Sequence, residues 1–127
     1  MDEPIQVSDA EAKVMAVLWT RAPQSASEVI DALTEDTGWN HRTIRTLLAR
    51  LAAKGAVTTT PRGRAYLYSP VLTRDEYVRN ESRGFLERVF RGNPLSAVAH
   101  FVEDESLSPG ELARLRKLID RKEEEES

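Results

Sequence analysis

The 127-residue chain contains no cysteine, which excludes disulfides, thiolate nucleophiles and cysteine-based metal sites and suits a reducing cytoplasm. Histidine is nearly as scarce: His41 and His100 are the only two, far apart in the chain, so no histidine pair is spaced to bind a metal. Long apolar runs are missing too. The longest, Val14 to Trp19, has six residues, against the roughly 20 needed to span a bilayer. The Met1-Asp2-Glu3-Pro4 start is acidic and has no apolar stretch of the secretory type, so no export signal is expected. Glycine and proline number six each, too few for a fibrous or low-complexity chain. What remains, 40% hydrophobic and 31% charged, is an ordinary globular composition. The length suits one domain, or a small domain with an appendage.

Another absence is local. Between Thr37 and Arg74 there is no acidic residue, although seven bases fall there: Arg42, Arg45, Arg50, Lys54, Arg62, Arg64 and Arg74. Acids outnumber bases on both sides of this block, and the net charge of the whole is −3. An all-basic block inside an acidic protein is the electrostatic footprint of a nucleic-acid binder. On its own it also fits a solvated face that lacks carboxylates.

Four helix starts carry a capping box, a Ser or Thr with a Glu three residues on: Ser8/Glu11, Ser25/Glu28, Thr73/Glu76 and Ser108/Glu111. Leu72 with Tyr77 and Leu107 with Leu112 add hydrophobic staples to the last two, and Pro109 suits the first helical position. The spacing predicts a first helix over 9–20 burying Val14, Val17 and Leu18. A second over 26–34 has Ala26, Val29, Ile30 and Leu33 on one stripe, and a turn over 35–39 follows. Asn40 caps a third helix whose inner stripe is Ile44, Leu47, Leu48 and Leu51, with Gly55 as its left-handed stop. The period then falls to two. Residues 56–60 and 65–69 read as strands joined by a turn over Pro61-Arg62-Gly63-Arg64, and Pro70 closes the unit.

Helical patterning returns at Thr73. Three helices are expected over 74–91, 95–104 and 109–122, with Glu123 to Glu126 as a frayed end. Their apolar stripes are Val78, Phe85, Leu86, Val89 and Phe90; then Leu95, Val98, Ala99 and Val102; then Leu112, Leu115, Leu118 and Ile119. Three short amphipathic helices cannot cover such stripes in about 55 residues, so a second copy is expected to do so. Phe85, Leu86, Val89, Phe90, Val98, Val102, Leu112, Leu115, Leu118 and Ile119 are the expected dimer contacts.

The fold class is therefore mostly α with a small β-hairpin: a winged helix-turn-helix over 1–72, followed by a helical dimerisation domain over 73–127. On the third helix, the face opposite Leu47 and Leu48 carries Arg42, Thr46 and Ala49, flanked by Arg45, Thr43 and Arg50. Such a face suits the major groove, where arginine makes paired bonds to guanine and a threonine methyl meets that of thymine. Arg42, Thr43, Arg45 and Thr46 are expected at base edges. His41, Arg50, Lys54, Arg62 and Arg64 are expected on the DNA backbone, with Thr58, Thr60 and Tyr68 as weaker candidates. Trp19 and Trp39 read as packing residues. No nucleophile–base constellation or phosphate-binding glycine loop is present, so neither an enzyme nor a cofactor is expected. The competing reading is a winged-helix protein-interaction module that binds no DNA.

Several segments resemble the BlaI/MecI/CopY penicillinase-repressor family. They are Ser8-Asp9-Ala10-Glu11 with Val14-Met15 and Leu18-Trp19, then Trp39-Asn40-His41-Arg42-Thr43-Ile44, Thr46-Leu47-Leu48, Arg50-Leu51 and Lys54-Gly55. Gly63-Arg64-Ala65-Tyr66-Leu67-Tyr68-Ser69-Pro70, Glu81-Ser82 and His100-Phe101-Val102-Glu103 continue the match over nearly the whole chain. The resemblance implies a dimeric repressor on a palindromic operator before β-lactamase or related resistance genes. It also implies release through a membrane sensor metalloprotease that triggers cleavage of the repressor. The family cuts between Asn and Phe; the matching bond here is His100-Phe101, with His in place of the Asn. The family's Pro-Lys-Thr at the start of the recognition helix reads His41-Arg42-Thr43, and a family Gln reads Arg45. The copper-responsive branch carries paired cysteines and is excluded by their absence.

Overall fold

A computed structural model describes residues 4–127; residues 1–3 of the acidic start lie outside it. Three helices come first: α1 (Asp9–Thr20), α2 (Ala26–Thr37) and α3 (His41–Ala53). Each starts where a side chain can accept an orphan backbone N–H. Ser8 and Ser25 form full capping boxes with Glu11 and Glu28, and Asn40 Oδ1 accepts the Thr43 N–H at 2.9 Å. The second helix runs three residues past its expected end at Thr34. Glu35, Asp36 and Thr37 are tolerated in a helix, and the true stop is Gly38, whose φ of +75° most side chains avoid.

The hairpin comprises β2 (Val57–Arg62) and β3 (Ala65–Pro70). Its turn is tighter than the four residues expected. Arg62 pairs with Ala65, leaving a two-residue connection of Gly63 and Arg64 with Gly63 at φ +62°. Pro61 therefore lies within a strand. It is tolerated because β2 is an edge strand: the sheet order is β1-β3-β2, all antiparallel. The third strand, β1 (Gln24–Ser25), was not anticipated, because two residues show no periodicity; pairing with Tyr68 and Leu67 defines it.

The core of this part gathers Val14, Met15 and Leu18 from α1, Val29 and Leu33 from α2, and Ile44, Leu47, Leu48 and Leu51 from α3. Ala56, Val57 and Leu72 close it, all at most 5% exposed. Burying each large member contributes about 1.5–3 kcal/mol. Val17, expected inside, is only half-buried, and Met15 takes the deeper place. Trp19 Nε1–H donates to the Leu72 carbonyl at 3.0 Å, and its ring lies 5.4 Å from that of Tyr77. The first turn of α4 (Arg74–Phe90) thus belongs to this packing. The chain divides into compact units inside α4, between Glu81 and Ser82, and not ahead of it at residue 72.

The second unit holds the rest of α4 with α5 (Pro94–Asp104) and α6 (Pro109–Glu126). The sixth helix continues to Glu126, so the expected frayed acidic end is helical. Phe85, Phe90 and Phe101 cluster with ring centroids 5.8 to 6.4 Å apart. Among the apolar residues of this unit only Ala97 is buried.

Candidate nucleic-acid interface

Helix α3 is divided by its own periodicity. Ile44, Leu47, Leu48 and Leu51 sink into the core, so the 3.6-residue repeat turns Arg42, Thr43, Arg45, Thr46, Ala49 and Arg50 outward, all exposed. Among the described residues none of these three guanidiniums has an ion-pair partner. Their donors are open to an external acceptor. Thr46 Oγ1–H donates to the Arg42 carbonyl at 3.0 Å, which leaves its methyl and oxygen lone pairs for an outside contact. His41 is exposed at the first helical position, where N–H groups and the helix dipole favour an anion.

The wing presents a second set. Directly paired residues share a face, so Thr58, Thr60 and Arg62 lie on one side of β2 and Val57, Thr59 and Pro61 on the other. Val57 is buried, which marks the second side as the core side. Arg62 and Arg64 are exposed at the turn, as are Thr58 and Thr60 along the strand. Tyr68 pairs with Thr59 on the core side and packs against the core, so its suggested phosphate contact gives way to a packing role. Tyr66, passed over in the sequence, stands opposite Pro61 at the outer end and is 56% exposed. Its only sequence signal was alternation with Leu67 and Tyr68, which cannot say which tyrosine clears the core.

Lys54 departs from expectation most. Its ammonium turns inward, donating to Glu11 Oε1 and to the Gln6 carbonyl at 2.8 Å. Burial pushes the Glu11 carboxyl up. Hydrogen bonds from Lys54 and from the Ser8 backbone and hydroxyl side, with the Lys54 charge, bring it below the ordinary range. A lysine engaged in this way is not free for phosphate. Both tryptophans pack against the core, as expected.

In the second unit six of the ten expected dimer contacts are exposed. Val89, Val98, Leu118 and Ile119 are 50–56% exposed, and Phe85 and Val102 about 40% (38% and 41%). Leu86, Phe90, Leu112 and Leu115 are half-buried. Val98, Val102, Leu112, Leu115, Leu118 and Ile119 line a groove of about 580 Å³. The His100–Phe101 bond lies within α5, with both side chains exposed and His100 Nδ1 3.3 Å from Asp104. Among the described residues no group of three potential ligands could hold a metal, and no helix is long and apolar enough to cross a membrane.

A family model described as penicillinase repressor matches residues 7–121. The penicillinase repressor of Bacillus licheniformis is 36% identical over 115 residues, covering 91% of this chain and 90% of that protein. The methicillin resistance regulatory protein MecI of Staphylococcus aureus (strain N315) is 31% identical over 117 residues, with 92% and 95% covered. The solution structure of the DNA-binding domain of the repressor BlaI superposes with a TM-score of 0.55 at 38% identity, covering 61% of this chain and 94% of that one. The B. licheniformis BlaI monomeric form, solved in complex with the blaP half-operator, gives a TM-score of 0.53 at the same identity and coverage.

Proposed function

The chain belongs to the penicillinase repressor family, and from that premise we propose that it is a dimeric transcriptional repressor that binds a palindromic DNA operator of antibiotic-resistance genes. The observation that carries this reading is the outward face of α3: three arginines without an ion-pair partner among the described residues and two threonines on a rigid helix, with no acid between Thr37 and Arg74. That face fits the major groove. Arg42, Thr43, Arg45 and Thr46 read base edges from the first turns of the helix. His41, Arg50, Arg62 and Arg64 hold the sugar-phosphate backbone, Arg62 and Arg64 from the wing.

The uncovered apolar side chains of α4, α5 and α6 support self-association through the second unit. A two-fold dimer presents two recognition helices to half-sites about 34 Å apart, or a multiple of that. Release by a membrane sensor metalloprotease, with cleavage at His100–Phe101, completes the reading. Because that bond lies within α5, α5 must unwind locally for a protease to reach it.

Gel shifts on duplexes over a salt series test the function. A dimer that neutralises about six to ten phosphates loses roughly 10³- to 10⁵-fold in affinity between about 50 and 200 mM salt. Within the series, Arg42→Ala should change base preference at a cost of about 1–3 kcal/mol, while Arg64→Ala should weaken all duplexes alike and reduce the salt slope by about one. A flat salt response would favour a protein-docking module instead.

A further inference from the structure

Lys54 is the C-cap of α3, and its ammonium joins three parts of the first unit. Its partners are Glu11 in the first turn of α1 and the carbonyl of Gln6 in the segment before it, 43 and 48 residues away in sequence. Glu11 is buried to 1% exposure. Its Oε1 already accepts the Ser8 N–H at 2.9 Å, and its Oε2 is buried with no hydrogen-bond partner among the described residues. The carboxylate therefore depends on Lys54 for its charge compensation, and such a dependence is costly to break.

The same end of α3 is a junction of the backbone. Gly55 N–H donates to the Ala52 carbonyl at 3.1 Å and Ala56 N–H to that of Leu51 at 2.9 Å. The Ala56 carbonyl then accepts Val71 and Leu72 N–H at 2.8 and 3.0 Å. Ile44, Leu47, Leu48 and Leu51, interdigitated with the core, turn the basic face of α3 outward. A charge-assisted, directional hydrogen bond at one end adds a further restraint along the helix axis. Base-edge hydrogen bonds tolerate only a few tenths of an ångström.

We infer that Lys54 is a positioning residue: through Glu11 and the Gln6 carbonyl it sets the placement of the α3 reading face along its axis, and it does not grip phosphate. The inference rests on the DNA-binding reading above. It accounts for a base at the edge of the basic block whose charge is cancelled from within the protein. It also assigns Glu11 a second task beside its capping box.

Full-length Lys54→Met, Lys54→Arg and the double variant Glu11→Gln/Lys54→Met test it in operator and non-operator duplex binding over a salt series. The double variant leaves no uncompensated buried charge and keeps a capping acceptor, so it covers the event that Lys54→Met alone unfolds; near-ultraviolet circular dichroism reports on both. The expected result for the folded variants lacking Lys54 is operator affinity lowered about tenfold or more, with non-operator affinity and salt slope unchanged, and recovery in Lys54→Arg. A salt slope reduced by about 0.9 per lysine, with equal loss on every duplex, would assign Lys54 to phosphate and overturn the inference. Wild-type operator affinity in the folded double variant would overturn it as well. Absence of salt-dependent duplex binding by the wild type would instead remove the DNA-binding reading itself, and this inference with it.

Discussion

The two units of this chain solve the same problem differently. The first, through Glu81, brings apolar side chains from three helices and a sheet to almost complete burial. The second, from Ser82, has helices of similar length and amphipathic pattern yet buries only Ala97 among its apolar residues. Helical periodicity alone does not make a core. Three helices backed by a sheet enclose a volume, whereas the helices of the second unit, with no sheet behind them, leave most of their stripes facing outward. Exposed apolar surface of that kind supports the self-association proposed above. The core of the first unit closes on its own side chains, whereas the apolar stripes of the second stay largely exposed in the single chain.

The largest effect that can break this comparison is a cavity in the first unit. Leu48 is 1% exposed at the centre of the α3 stripe. Leu48→Ala should lower unfolding free energy by about 2–5 kcal/mol in urea denaturation, independent of protein concentration. A loss under about 1 kcal/mol would mean that this core is looser than its burial shows. Next comes Ile119→Glu, at a site 56% exposed in the single chain. A charge on an exposed site costs the monomer about 0.5 kcal/mol or less, but it should abolish self-association in sedimentation equilibrium. If the variant remained a dimer, the α6 stripe would lie outside the interface.

The smallest effect concerns acid. The capping glutamates Glu11, Glu28, Glu76 and Glu111 all have carboxyls held below the ordinary range. For Glu28, Glu76 and Glu111 the leading cause is the backbone N–H of the capping residue; for Glu11 burial opposes, and Lys54 and Ser8 prevail. A carboxyl depressed in the folded state contributes stability above its unfolded value, and that stability is lost as pH falls through the folded value. Three of the four lie in the first unit. Acidification from roughly pH 5 to 3 should therefore destabilise the first unit before the second, as read by hydrogen exchange on each. Earlier loss in the second unit would contradict the assignment.

Much of the architecture was legible beforehand because its signals are local. All four capping boxes form, including Thr73 with Glu76, whose N–H donates to Thr73 Oγ1 at 3.1 Å. A box needs only four consecutive residues, so its whole signal lies in the local sequence. The division of α3 into an inner leucine-rich stripe and an outer basic face was likewise readable from its repeat. The extension of α2 to Thr37 was not, because Glu35 and Asp36 suit a turn or a helix end equally. The strand β1 could not be seen either, since two residues become a strand only when β3 lies beside them.

Sequence alone determined the order of the helices and the hairpin, the capping boxes, the acid-free basic block and the face of α3 that carries it, since each follows from neighbours a few residues apart. Tertiary structure decided which of two tyrosines in the wing is exposed, that Lys54 turns in toward Glu11, and that the packing boundary lies within α4. Those outcomes depend on groups tens of residues apart, such as Lys54 with Glu11 and Trp19 with Leu72, which only chain packing brings within hydrogen-bond range.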